Sequence, residues 1–323
     1  MHTVIIEKND SQQRLDRFLK KYFKRAPLST IQKIIRKKMI RVNGKHVSAQ
    51  YMLESKDQLD IYIADEMIQK WIEEKTIYES LEKLNIVFED ENIIVINKPV
   101  GILVHAASPK DYGRTLIDFL ISYLIRKKEY IPRLEKTFTP AVVNRLDRNT
   151  CGLILGAKNL IALQNLTKAF REHQVEKYYR ALVFGRINQP IELSNFLIKN
   201  KDDNKVRIVK EEIGKKILTN IKPIKRYNGF TDIEVHLITG RTHQIRAHLS
   251  SINLPLMGDP KYGNLQKNKI LKEKLGIEFQ LLQSNRIKFN HIEGLSYLKG
   301  MEIGCPLPDN FIKVFNWNKE NRI

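Results

Sequence analysis

Cysteine is scarce in this sequence. Cys151 and Cys305 are the two present, they form no CxxC pair, and no cluster of cysteine and histidine surrounds either. A disulfide framework and a structural zinc site are therefore not expected, and a reducing cytoplasm is. Long apolar runs are also missing. No stretch of about eighteen uncharged apolar residues occurs, and the apolar run in the N-terminal MHTVIIEKNDSQQ is too short for a leader. Neither a membrane span nor a signal peptide is expected. No internal repeat is visible. With 323 residues and 42% hydrophobic composition, the chain has room for one large domain and a small one without covalent staples.

Acidic charge is short as well. Lysine and arginine number 56 against 36 acids, a formal net charge of +20. A field of that sign suits a polyanionic partner, with phosphate contacts and counterion release supplying affinity. A general preference for lysine would give the same total with no partner at all, so clustering decides. Between Arg14 and Lys45 there are twelve basic residues and one acid, Asp16. Within that stretch Leu15, Phe18, Leu19 and Tyr22 recur at helical spacing, which predicts an amphipathic helix. A second helix is expected after Pro27, with Ser29 as its N-cap and Ile31, Ile34 and Ile35 inward, leaving Lys33, Arg36, Lys37 and Lys38 outward. IRVNGKHV reads as a hairpin turning at Asn43-Gly44.

The run from QRLDRFLKKYF through YMLESKDQLDIYI resembles an S4 domain, an αL-type module of ribosomal and RNA-modifying proteins. The resemblance implies RNA recognised through backbone and shape, with Arg14, Arg17, Lys33, Arg36, Lys37 and Lys38 as its contacts. The organisation expected is an S4 domain over 1–63, a partly helical linker over 64–85 and a larger domain over 86–323. The sign of charge flips across the linker, with nine acids against three lysines from Asp65 to Glu91. Two β-rich runs then flank the turn Glu89–Asn92 and lead into Lys98-Pro99-Val100-Gly101. Residues 158–172 fit a helix, KYYRALVFG and GFTDIEVHLITG fit strands, and RTHQIRAHLSSI fits a helix. The larger domain is read as α+β with a mixed, mostly antiparallel sheet.

Three segments place charge inside apolar surroundings: Asn144–Gly152, Lys177–Ala181 and TGRTHQIRAHL at 239–249. In the first, Asp147 stands between Arg145 and Arg148. An Asp beside Arg is usually a solvated ion pair, and the same RLDR letters occur at Arg14–Arg17 in a different setting. In the third, a strand-to-helix corner bearing Arg241 and Thr242 is suited to hold an anion, either phosphate or Asp147. His243 and His248, five residues apart with no third ligand, are not read as a metal site.

In this order the segments resemble the RluA family of pseudouridine synthases. NRLDRNTCG corresponds to its HRLDxxTSG signature, KYYRALV to its KxYxALV strand and TGRTHQIRAHL to its TGRTHQIRVHL element, with INKPVGILVH and LMGDPKYG also in pattern. With the S4 domain in front, RluC-type enzymes of large-subunit ribosomal RNA are resembled in particular. The resemblance implies isomerisation of uridine to pseudouridine, with RNA as partner and no cofactor or metal. It implies Asp147 as the catalytic carboxylate at the sugar C1′, Arg241 as its ion-pair partner, Tyr179 packed on the uracil, and Arg145 contacting RNA where the base leaves the stack. Transfer RNA as substrate, or a ribosome-associated binding protein without activity, are the alternatives. Two positions depart from the pattern: Asn144 replaces the usual His and Cys151 the usual Ser. A titrating role at position 144 is thereby excluded.

Overall fold

Leu15, Phe18, Leu19 and Tyr22 are all buried on one face of helix α1 (Leu15–Tyr22), as the 3.6-residue period requires. The computed structural model describes residues 1–72, 80–132, 134, 136–199, 205–209 and 213–321. At its start, β1 (His2–Ile5), β3 (Ile40–Val42) and β5 (Gln58–Ile61) form a sheet in the order β1-β5-β3, and β2 (Gln13–Arg14) pairs with β4 (Met52–Leu53). Helix α2 (Leu28–Arg36) closes the same core with Ile31 and Ile34.

Two local expectations change. The N-cap of α2 is Pro27, not Ser29, and it makes no side-chain cap bond. Pro27 holds φ near −60° and has no N–H to leave unpaired, so the helix begins directly after it. At Asn43-Gly44 both residues have positive φ, +50° and +75°, as a primed hairpin turn demands. The returning arm contributes only the Val42–Lys45 bridge, and β5 takes the place beside β3.

Helix α3 (Asp65–Trp71) packs Ile68 and Trp71 into this first core, with the Trp71 ring 5.5 Å from that of Phe23. The N-terminal packing therefore continues into the segment expected to be linker. The remainder of that segment, 73–79, lies outside the described residues.

The larger unit opens with the hairpin β6 (Ile86–Glu89) and β7 (Ile93–Lys98), followed by α4 (Leu116–Arg126), β8 (Ala141–Val142), β9 (Cys151–Ala157), α5 (Leu160–Arg171) and β10 (Val175–Phe184). Then come β11 (Ile191–Lys199), β12 (Val206–Val209), β13 (Lys215–Arg226), β14 (Phe230–Leu237), α6 (Gln244–Ser251), α7 (Leu265–Leu275), β15 (Leu282–Phe289), β16 (Glu302–Gly304) and α8 (Asp309–Asn321). Eleven strands make one sheet in the order β12-β11-β13-β14-β10-β15-β9-β7-β6, with β16 beside β15 and β8 beside β9. Among the described pairings in it, only β9 with β15 is parallel.

The central strands are apolar on both faces because both are covered. Along β9, Leu153 and Leu155 face α5 while Ile154 faces α4, and in β7 Ile93 and Val95 alternate with Ile94 and Ile96 in the same way. Where β9 meets β15, Gly152 has φ of +107°, and a Cβ on it would stand 2.2 Å from the Ser284 carbonyl oxygen. No other residue fits that contact, and it fixes the end of the polar segment before it.

The two units are joined by a buried carboxylate. Asp10, at 0% exposure on the short turn Lys8–Asp10, accepts hydrogen bonds from the backbone N–H of Lys136 and of Thr137 and from Thr137 Oγ1, each at 2.6 Å. Gln13 Nε2 donates to the same Thr137 hydroxyl at 2.9 Å. Removing an acceptor that serves several buried donors leaves them all unsatisfied. Asp10→Ala is expected to cost about 3 kcal/mol, read as a lowered thermal midpoint, and to expose residues 136–138 to limited proteolysis. An unchanged midpoint and digestion pattern would show that the joint does not hold in solution.

Candidate active site

Three elements converge on a cavity of about 330 Å³, within the range of small-ligand sites. The loop between β8 and β9 supplies Asn144 to Asp147 and Thr150; β10 supplies Lys177 and Tyr179; the turn into α6 supplies Gly240 to Arg246. Each element is tied down locally. Asn144 donates from Nδ2 to the Leu153 carbonyl at 3.2 Å and accepts from the Leu155 N–H at 2.8 Å, so it clamps the loop to β9 through an amide. Lys98, with 0% exposure, donates from Nζ to the carbonyls of Pro99, Ile102 and Arg148, joining the Lys98–Gly101 loop to the Asp147 loop. Burial pulls its pKa down to about 8. Gln244 accepts from the Arg241 N–H and the Thr239 hydroxyl and donates to Leu218 and Thr219, which fixes the turn before α6.

Asp147 is held by an arginine, but not by Arg241. Arg246 Nη1 donates to Asp147 Oδ2 at 2.8 Å. The rest of that guanidinium is engaged by Asp259, from Nε at 2.8 Å and Nη2 at 2.9 Å. Asp259 has 0% exposure and also accepts the N–H groups of Lys261 and Tyr262. Burial works against the Arg246 charge, but the bonds and charge of Asp259, then of Asp147, outweigh it and raise its pKa above the ordinary arginine value. Burial likewise opposes ionisation of Asp259, and Arg246 with the two amides brings its pKa below the usual carboxylate value.

Arg241 lies exposed at the cavity's edge and has no ion pair among the described residues. The expected pairing moves to Arg246 because the helix starts later than RTHQIRAHL suggests. His243 adopts φ of +53° and is the N-cap, α6 begins at Gln244, and the inward face is thereby set by Arg246. The signal missed in the sequence was Arg246 within an otherwise buried helix, which demands a buried carboxylate; Asp259, in GDPKYG, is that group.

The other expected residues fall as follows. Tyr179 lines the cavity at 5% exposure, and burial raises its phenol pKa well above the ordinary value. Arg145 is exposed at the cavity's rim, without an acidic partner among the described residues. Arg17, Lys33, Arg36, Lys37 and Lys38 are exposed on the N-terminal unit. Arg14 is instead engaged by Asp16, 2.6 Å away. Cys151 is buried, and burial pushes its pKa up to about 11, which suits packing and not reactivity.

His243 brings Nε2 within 3.8 Å of Asp147 Oδ2, while its Nδ1 is 3.0 Å from Tyr262 Oη, which accepts the Val206 N–H. Burial lowers its pKa against the opposing charge of Asp147. His248 is buried and bonded to Thr219 and Asn195. Among the described residues no group of three or more His, Cys, Asp or Glu is placed to hold a metal, and no helix is long and apolar enough to cross a membrane.

Comparison with known proteins bears directly on this arrangement. Residues 13–59 match the S4 domain and residues 92–251 match the RNA pseudouridylate synthase family. A Mycoplasma capricolum protein named as an uncharacterized RNA pseudouridine synthase is 36% identical over 292 residues, covering 88% of this chain and 93% of its own. The chain belongs to the RluA family of RNA pseudouridine synthases. A ribosomal large subunit pseudouridine synthase C from Buchnera aphidicola is 35% identical over 294 residues, 90% of each chain. The solved structure of human RNA pseudouridylate synthase domain containing 4 shares the fold, with a TM-score of 0.55 at 22% identity over 72% of this chain and 92% of that one. The stretch matched to the synthase family holds Asp147, Tyr179, Arg241 and Arg246, and Asp259 follows just beyond it.

Arg246→Met strands Asp259 as an unpaired buried charge and is expected to cost about 3–5 kcal/mol, whereas Arg241→Ala should leave the thermal midpoint nearly unchanged. Comparable losses for both would sink the pairing. His248 gives a pH effect of known sign. Burial holds its folded pKa at about 4, below the unfolded value of about 6.5, so the unfolded chain takes up the proton first. Its contribution to stability is complete above that unfolded value and is lost as pH falls through the window down to about 4. His248→Gln should flatten the decline in thermal midpoint over that window, and an identical decline would exclude His248 as its source.

Proposed function

We propose that this protein isomerises specific uridines to pseudouridine in large-subunit ribosomal RNA, with Asp147 as the catalytic carboxylate. The observation that carries the reading is the cavity's charge. Of the residues lining it, Asp147 is the single acid, and Arg246 keeps it beside the space a nucleoside would fill. Hydrolysis of a glycosidic bond in the common two-carboxylate manner needs a second acid across the bond. Rearrangement within one nucleoside needs one carboxylate at C1′, as nucleophile or as base at the sugar.

The reaction follows from these groups. The target uridine is turned out of its helix into the cavity, and its base stacks on the Tyr179 ring. Asp147 acts at the sugar while the N1–C1′ bond breaks with its electron pair passing to the uracil. The uracil turns, C5 joins C1′, C5 gives up its proton and N1 gains one. Arg246 keeps Asp147 oriented throughout by its hydrogen bond. Arg145 and Arg241, exposed at the rim, are suited to the phosphates flanking the turned-out nucleotide.

The division of the chain supports ribosomal RNA. The S4 match puts an RNA-binding module in front of the synthase, and its exposed Arg17, Lys33, Arg36, Lys37 and Lys38 offer a basic face to helical RNA. The relative from Buchnera aphidicola is named for the ribosomal large subunit and aligns over 90% of this chain.

Tritium release from 5-tritiated uridine in ribosomal RNA that lacks the modification tests both parts. The wild-type chain is expected to release tritium from large-subunit RNA, and Asp147→Asn to release none while binding the RNA with nearly unchanged affinity. Release from transfer RNA instead would move the substrate, and full activity in Asp147→Asn would overturn the mechanism.

A further inference from the structure

We propose that Lys177 is a catalytic residue of this site, an ammonium that stabilises the negative charge the uracil acquires when the N1–C1′ bond breaks. This rests on the pseudouridine synthase reading and adds to it a group that touches the base.

The cavity's lysine and arginine cations fall into three kinds. Arg246 is shared between two carboxylates, so Asp147, Arg246 and Asp259 together carry a net charge of −1 and leave no positive charge over. Arg145 and Arg241 are exposed and solvated at the rim. Lys177 differs from both. It lines the cavity, half-buried, and has no carboxylate or hydrogen-bond acceptor as partner among the described residues. Its ammonium lies 5.5 Å from the centroid of the Phe170 ring, and a Cβ added at Gly240 would be 3.8 Å from it. Burial lowers its pKa, with no opposing carboxylate to restore it. An ammonium taken partly out of water with only a ring face beside it and no counter-charge is costly, and such groups are kept where a ligand supplies the missing charge.

Geometry selects that ligand. Lys177 and Tyr179 are two residues apart on β10 and so point to the same side of the sheet. The side chains of such neighbours emerge about 7 Å apart, close enough for an ammonium to reach the rim of a base stacked on the tyrosine. When the N1–C1′ pair passes to the ring, charge spreads onto N1, O2 and O4. A fixed cation at O2 or O4 is then worth more than in the ground state, which is the condition for accelerating the step. Lys177 neither gives nor takes a proton: C5 loses its proton, N1 gains one, and the ammonium is unchanged at the end.

The test is single-turnover tritium release, with enzyme in excess over 5-tritiated large-subunit RNA, run beside a direct measurement of RNA affinity. Lys177→Met is expected to slow release by roughly 10²-fold with little change in affinity. Lys177→Arg should recover part of the rate, because charge is kept at altered geometry. Lys177→Ala should be rescued in a saturable way by propylammonium and not by propanol, a response that a merely structural lysine does not give. A full rate in Lys177→Met would overturn the assignment. So would a loss confined to affinity, which would make Lys177 a phosphate anchor, or a slow Lys177→Ala that folds normally but ignores the amine. No release by the wild-type chain from ribosomal or transfer RNA would instead remove the pseudouridine synthase reading on which the assignment stands.

Discussion

A guanidinium shared between two carboxylates is the constraint on which the rest of this structure turns. Asp259 grips Arg246 through two bonds and has no exposure of its own; Asp147 takes a third bond at the boundary of the cavity. Each partner alone would be expensive to bury. An isolated carboxylate in a poorly solvated pocket takes up a proton, and an isolated arginine stays in water. Together they place one Asp147 oxygen at the wall of the cavity. The turn at His243, the late start of α6 and the close passage of Gly152 under Ser284 set the elements that carry these groups.

Much of this was legible in the sequence, for reasons that can be traced. Asp147 announced itself as a carboxylate in a polar knot between two apolar runs, and Tyr179 was marked by its place in the family's strand pattern. The helices of the first unit followed from the spacing of Leu15, Phe18, Leu19 and Tyr22. In the larger unit β7 followed from a short apolar run, because the strand is covered on both faces, and α5 from its helical period, because it buries one face.

What the letters did not convey was phase and distance. Counting the helix from Arg241 puts Arg241, Ile245 and His248 on one side; a left-handed residue at His243 breaks that count and brings Arg246 inward instead. Asp259 is 13 residues from its partner, across a turn no period describes. The Asp10 joint spans 127 positions to Thr137, and its residues are ordinary loop letters until folding buries them. Asn144 shows the converse. Its replacement of a histidine removes a titrating group and keeps hydrogen-bonding capacity, but the letters do not say with what: its amide makes two backbone bonds that hold the loop to β9.

The Asp10 joint has a consequence for recognition. A module hung on a flexible tether searches a volume and loses that freedom when both it and the site engage one RNA. Here the bonds of Asp10 and Gln13 to Lys136 and Thr137 tie the first unit to the larger one, and that freedom is reduced before RNA arrives. The separation between them then acts as a caliper. Under the proposed function, an RNA whose helix sits on the first unit and whose uridine stands at the matching offset engages both surfaces at once; one with a different offset must choose between them.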